Sequence, residues 1–187
     1  MPFSNLWFWV FLCVLGWALA AIGWGSKAIG SRPGFGLFVL SLAEIPRFVL
    51  VLPFVDQPRI SPVPTSLIAL GAVVLVISLI FGSAALGIGA ITRPDRSEPL
   101  HTGGLYSIVR HPVMFCDAFW PLGLSLMAGS IIGVALTPVW MLLAGLVTFP
   151  EEELLVEEYG DSYRDFQKRV PRLIPSVRRL FGSRQKP

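Results

Sequence analysis

An all-α integral membrane protein with about five transmembrane helices is the fold class that this sequence predicts, and three observations predict it. Hydrophobic residues make up 53% of the 187 residues and charged ones 14%, where soluble domains carry about 25% charged residues. Apolar stretches recur along the chain at about the 20-residue length a helix needs to cross a hydrocarbon core of ~30 Å. Lysine and arginine concentrate in alternate connecting segments, as they do where one set of loops faces the cytoplasm. Disorder is excluded despite sixteen prolines and eighteen glycines, because the stretches between them are too apolar to stay solvated. Cys13 and Cys116 both lie inside apolar runs, which leaves neither a disulfide framework nor a C-x-x-C metal site. The chain reads as one multi-pass domain over residues 1–187, without room for a separate soluble domain. Chemistry must then be built from helix ends and short loops.

Residues 6–24 carry no charge and form the first predicted span. The apolar run continues past Ala18-Leu19-Ala20 and no basic leader precedes it, so a cleaved signal peptide is not expected. The second span, 35–55, holds Glu44 and Arg47, which share a helix face and can pair. The third, 64–91, exceeds what the bilayer needs, so its end should tilt or project into water. Within it Gly71, Ser78, Gly82, Ala85 and Gly89 recur at spacings of seven, four, three and four, a stripe of small residues that lets a neighbouring helix approach closely. Residues 113–149 are apolar except for Asp117 and are broken at Pro121, Gly129-Ser130 and Pro138, which predicts two short spans in a hairpin. Segments 25–34 and 92–112 and the tail after 150 then share one side, with thirteen Lys and Arg residues against Arg59 alone on the other. By the positive-inside rule the N-terminus lies outside and the tail in the cytoplasm.

Two polar segments remain. The first, 92–112, contains both histidines, His101 and His111. Pro94 and Pro99 hold its first half extended, Gly103-Gly104 permits a sharp turn, and Pro112 biases His111 away from helical backbone. Two histidines without cysteines or an i,i+4 spacing make a poor metal site, and none is expected. The second begins at Pro150, which with Glu151, Glu152 and Glu153 reads as a helix start whose acids suit the macrodipole. Leu155, Tyr159, Tyr163 and Phe166 step by four, four and three, an apolar stripe that would lie on the membrane surface or on the loop above it. The basic stretch from Arg164 onward suits anionic lipid headgroups. Nucleic acid is not an expected partner, because no recognition module accompanies the basic residues.

The order Gly104-Leu105-Tyr106, Arg110-His111-Pro112, a helical hairpin, Glu151-Glu152, then Tyr159-Gly160-x-x-Tyr163-x-x-Phe166-x-x-x-Val170-Pro171-Arg172 resembles the isoprenylcysteine carboxyl methyltransferase family, as a prokaryotic member. Phospholipid N-methyltransferases form the wider relation. The resemblance covers about residues 98–175. It implies a multi-pass enzyme with a cytoplasmic cofactor-binding loop and C-terminal helix, which takes S-adenosylmethionine and releases S-adenosylhomocysteine. The acceptor it implies is lipophilic, a small molecule or prenylated peptide, with a carboxylate on an isoprenylcysteine-like substrate first among them. The family's cofactor contacts carry over onto Glu98, Pro99, Leu100 and His101, then Tyr106, then His111, Pro112, Val113 and Met114. Its acid pair, with catalytic and cofactor-binding roles, carries over onto Glu151 and Glu152. Within the loop, His111 is expected to matter more than His101, which would contribute mainly backbone.

Met114 and Cys116 stand where the family commonly has Tyr and Gly. The arginine that eukaryotic members place shortly before the acid pair has no counterpart among Val147, Thr148, Phe149 and Pro150. Asp117, six residues after His111, either faces the same cavity or is hydrogen-bonded to a neighbour. The alternatives are a phospholipid N-methyltransferase, a nicotinamide-dependent membrane reductase, and a non-enzymatic membrane protein built around the small-residue stripe and the Glu44–Arg47 pair.

Overall fold

Uncharged runs near 20 residues fold as helices because a chain in lipid must satisfy its backbone internally. The computed structural model describes residues 2–25, 33–91 and 100–175. Seven α-helices carry most of the described residues: α1 Leu6–Gly25, α2 Pro33–Leu50, α3 Thr65–Ile91, α4 Pro112–Met127, α5 Ile131–Ala135, α6 Thr137–Tyr159 and α7 Asp161–Arg169, with a 3-10 turn at Gly104–Ser107. No strand occurs among them; isolated bridges join Asn5 to Asp56 and Arg59 to Ser130. Glu98 and Pro99, together with Arg93 and Arg96, lie outside the described residues.

Leu6–Gly23 and Thr65–Ala85 are long and apolar enough to cross a membrane, and α4 is a shorter apolar helix. Along α3 the side chains of Ile68, Val73, Val76, Ile77, Ile80 and Phe81 stand exposed. An apolar face this large suits contact with lipid. The opposite face carries the small residues, and they serve the packing expected of them. A Cβ at Gly71 would lie 2.6 Å from the Gly123 carbonyl oxygen, and one at Gly123 would lie 2.7 Å from Leu75 N. One at Gly82 would lie 3.3 Å from Cys116 Cβ. Gly16 plays the same part between α1 and α2, where a Cβ would meet Ala43 N at 2.5 Å. Because the obstacle is backbone, Gly71→Val is expected to destabilise the α3–α4 contact by about 1–3 kcal/mol or more. Gly145→Ala in α6, whose Cβ would sit 4.0 Å from Leu173 Cδ2, should be tolerated. Melting temperatures of the two variants check this; equal temperatures would contradict it.

Arg47 and Glu44 pair as their spacing predicts, and Asp117 of α4 joins them. The Arg47 guanidinium donates to both Asp117 carboxylate oxygens at 2.9 and 2.8 Å and to its backbone oxygen at 3.2 Å. Trp17 and Trp120 flank that guanidinium at 5.2 and 5.3 Å from their ring centroids. Of the two readings of Asp117, hydrogen bonding to a neighbour is the one observed. The cluster ties α1, α2 and α4 together, as buried ionic groups in a membrane must be tied to partners. Arg59 holds the other end: it donates to Val51 O at 2.9 Å and Ala128 O at 3.3 Å, joining the segment after α2 to the turn after α4.

Two expectations about the second polar segment need correction. Pro150 does not start a helix; it lies inside α6, which runs unbroken to Tyr159. Proline there forgoes one backbone bond and crowds the preceding turn, yet membrane helices accommodate such residues when neighbours support them. Glu151, Glu152 and Glu153 are therefore mid-helix residues and cap nothing. The apolar stripe, whose helical spacing runs through Phe166, is instead interrupted at Gly160, whose φ of 56° and ψ of −128° are open to glycine without a steric cost. That break folds α7 back over the loop.

Candidate active site

Pro112 opens α4 at its first turn, and His111 before it takes φ −122° and ψ 67°, outside the helical region, as a residue preceding proline must. The backbone N–H groups of Arg110 and His111 are thereby freed from the helix. They donate to Pro171 O at 2.9 Å and Arg172 O at 3.1 Å, so the segment after α7 is strapped along the loop. The apolar stripe packs on the same loop: Tyr163, Phe166 and Val170 are buried against Leu100, Tyr106, Leu155 and Tyr159. Of its two expected resting places, the loop is the observed one. Tyr106 anchors this assembly to α3 by donating its hydroxyl to Ala85 O at 3.2 Å.

A cavity of about 230 Å³ is left between loop, α4, α6 and α7. Its wall brings together Leu100, His101, Tyr106, His111, Pro112, Val113, Met114 and Glu151, every described residue of the expected cofactor set except Glu152. Arg110, Leu155, Tyr159, Tyr163 and Phe166 line it as well, although they were not singled out as site residues. Their signal was present: the stripe spacing for the last four, and the position beside His111 for Arg110.

Glu152 sits behind the wall, 3% exposed. Its Oε1 accepts from Arg110 Nε at 2.7 Å and lies 3.1 Å from His111 Nε2. Its Oε2 accepts from Arg172 Nη2 at 2.7 Å and Gln167 Nε2 at 3.0 Å. Burial alone would raise this carboxyl's pKa, but the His111, Arg110 and Arg172 donors outweigh it and hold the group far below the usual carboxylate range. Arg110 also donates to Gln167 O at 3.0 Å and to Val170 O, and Arg172 stacks on Phe149 with its guanidinium carbon 3.7 Å from the ring centroid. Glu152 thus joins α6, the loop, α7 and the strap.

Glu151 differs. Its Oε2 lies 3.2 Å from His111 Nδ1 but is buried without a hydrogen bond. His101 Nε2 is likewise buried and unbonded, with its ring edge-on to Tyr106 at 5.7 Å. Both nitrogens of His111 face carboxylates, while His101 Nε2 at the cavity has no hydrogen bond. No group of metal-ligating side chains occurs among the described residues.

Burial lowers the pKa of His111, but the Glu151 and Glu152 carboxylates at its two ring nitrogens outweigh it and the net shift is upward from 6.5. A raised histidine pKa stabilises the fold fully below its unfolded value, and the contribution is lost as pH rises through the folded value. The melting temperature is therefore expected to fall as pH rises above about 6.5 in the parent and to stay flatter in His111→Gln. A parent curve as flat as the variant's would contradict the protonated bridge.

The sequence profile of the phospholipid methyltransferase family matches residues 63–162, more than half of the chain, from α3 through the cavity to the start of α7. The chain belongs to this family. Similar proteins bear related names. A methanethiol S-methyltransferase of Pseudomonas deceptionensis is 44% identical over 81 residues, 42% of this chain and 29% of that protein. A protein-S-isoprenylcysteine O-methyltransferase of Schizosaccharomyces pombe is 32% identical over 88 residues, 46% of this chain and 37% of that protein. The rat enzyme of the same name is 37% identical over 93 residues, 47% and 32% of the two chains. The chain thus spans about a third of the length of the curated relatives it matches. No solved structure matches. Membership in the phospholipid methyltransferase family agrees with the resemblance read from the Arg110-His111-Pro112 and Glu151-Glu152 elements.

Proposed function

We propose that the chain is an S-adenosylmethionine-dependent methyltransferase that holds its cofactor in the cavity beneath α7 and takes a lipophilic acceptor from the bilayer. The observation that carries this is the pair of buried polar atoms at the cavity, His101 Nε2 with no hydrogen bond and Glu151 Oε2 with no contact beyond its 3.2 Å ion pair to His111 Nδ1. A buried polar atom short of partners is costly, and here the two suit the two ends of one ligand. Glu151 would hold the cofactor's ammonium, and His101 a polar edge of its adenosine. Tyr106, Tyr159, Tyr163 and Phe166 supply aromatic surface for the purine and for the positive sulfonium. Leu100, Pro112, Val113 and Met114 complete the apolar wall, with Glu98 and Pro99 as further contacts on the resemblance alone.

When bound, the cofactor supplies a methyl group on a sulfonium that carries its own leaving group. The residues have to bind, orient and exclude water. His111, fixed between Glu151 and Glu152, orients the carboxylate that meets the ammonium. Glu152 keeps α7 and the strap closed over the cavity, so its role is positioning.

Acceptors of both kinds named among the relatives, an isoprenylcysteine carboxylate and a small thiol, fit this reading. Radiolabelled S-adenosylmethionine offered to the purified protein with N-acetyl-S-farnesylcysteine, methanethiol and native lipid extract tests it. Label transferred into at least one organic product is the expected result, and none into any would count against the activity. The topology that accompanies this proposal is a single five-span domain with its N-terminus outside and the cavity and tail cytoplasmic, supported by the thirteen-to-one placement of basic residues. A reporter fused after Pro187 should score as cytoplasmic; an extracellular score would overturn this topology.

A further inference from the structure

His111 stands between two carboxylates of unequal standing. Its Nε2 lies 3.1 Å from Glu152 Oε1 and its Nδ1 3.2 Å from Glu151 Oε2. The charge of Glu152 is already matched by Arg110 and Arg172, at 2.7 Å each, whereas the His111 ring is the one ion-pair partner of Glu151 among the described residues. The other basic or phenolic groups of the cavity wall are Arg110, His101, Tyr106, Tyr159 and Tyr163. Arginine stays charged and phenols stay neutral near pH 7, the more so at Tyr106 and Tyr163, whose pKa values burial raises. Among the bases of this wall, the two histidines are left to change charge in that range.

We propose that His111 is a proton switch in the cofactor site: the ligand's ammonium replaces the imidazolium charge at Glu151, the Nδ1 proton leaves to water, and the neutral ring accepts a hydrogen bond from the ammonium at Nδ1. The inference rests on the methyltransferase reading of the cavity, in which Glu151 holds that ammonium. Two cations against one carboxylate in a water-poor cavity repel, and each disfavours the charged form of the other. The imidazolium is the one that yields, because an imidazole gives up its proton at lower pH than an amine does. Glu152 fixes which proton stays. Its oxygens, held ionised by Arg110 and Arg172, remain the acceptor for Nε2–H, so Nδ1 is the nitrogen that turns from donor to acceptor. The same carboxylates that raise the His111 pKa in the protein alone load the ring with the proton that binding expels. Affinity for the cofactor and its product should therefore weaken on acidification.

Calorimetric titration of the purified full-length protein with S-adenosylhomocysteine, at about pH 6.5 in three buffers of different ionisation enthalpy, counts the protons exchanged. Release of roughly 0.5 to 1 proton per ligand is expected, with affinity that climbs by up to about tenfold per pH unit and levels off above the His111 pKa. His111→Gln keeps a donor for Glu152 and an acceptor for the ammonium but cannot titrate. It should bind without proton release and with affinity constant within about threefold between about pH 6 and 8. His101→Gln should keep the release, whatever its affinity. A merely structural role for His111 moves neither the proton count nor the pH slope. If the parent binds S-adenosylhomocysteine with no release or with uptake, the switch is overturned and the cofactor reading stands. Release that persists undiminished in His111→Gln, or that disappears in His101→Gln, assigns the proton to another group and overturns it as well. Should His111→Gln fail to fold, the parent and His101→Gln decide by the same counts. If S-adenosylhomocysteine does not bind the parent anywhere between about pH 6 and 8, the switch and the cofactor reading fall together.

Discussion

Glu151→Gln is expected to lower S-adenosylhomocysteine affinity by about 2–5 kcal/mol while the protein keeps its fold, because the substitution removes the charge that would pair with the ligand's ammonium in a water-poor cavity. Its Oε2 is buried with no contact beyond the 3.2 Å ion pair to His111, and His111 keeps Glu152 on its other nitrogen, so the fold should survive the substitution. Glu153 is the control. It is exposed because it lies about 200° around the helix from Glu151, and Glu153→Gln should bind like the parent. Calorimetric affinities for the two variants, alongside their melting temperatures, decide the matter. Equal affinities would remove Glu151 from the site.

Glu152→Gln should give the converse result. Glu152 meets Arg110, Arg172, Gln167 and His111, and neutralising it strands two arginines whose compensating charge is gone. Removing one partner of a buried ionic network costs about 3–5 kcal/mol. A large fall in melting temperature is therefore expected, followed by loosening of the strap at residues 170–172, which should appear as faster hydrogen exchange at the Arg110 and His111 amides. Affinity for S-adenosylhomocysteine would fall only as far as the cavity opens. A Glu152→Gln protein with the parent's melting temperature and exchange rates would show that the network contributes nothing measurable.

Adjacent acids with opposite parts illustrate how far the sequence could be read. Composition and spacing were enough for an all-helical membrane chain, for the Glu44–Arg47 pair and for the small-residue stripe, because each depends on contacts within one helix or on one face of it. The described members of the expected cofactor set, Glu152 apart, also meet at one cavity, since local motifs fix local backbone at His111-Pro112. What depended on long-range packing was not legible. Asp117 pairs with Arg47 across 70 positions of sequence, and no periodicity encodes which helix α4 will face. The division of labour between Glu151 and Glu152 follows from one step of about 100° around α6, and that step has meaning only once α7 and the strap are placed. Pro150 misled because proline is a strong helix-start signal in water, whereas α6 passes through it with neighbours packed alongside.

On the proposed function, the cavity beneath α7 binds S-adenosylmethionine. Calorimetric titration of the purified full-length protein with S-adenosylhomocysteine, and separately with NADPH, tests it most directly. Saturable binding of S-adenosylhomocysteine that weakens in Glu151→Gln, with no binding of NADPH, is the predicted result. Binding of NADPH alone, or no binding of S-adenosylhomocysteine, would contradict it.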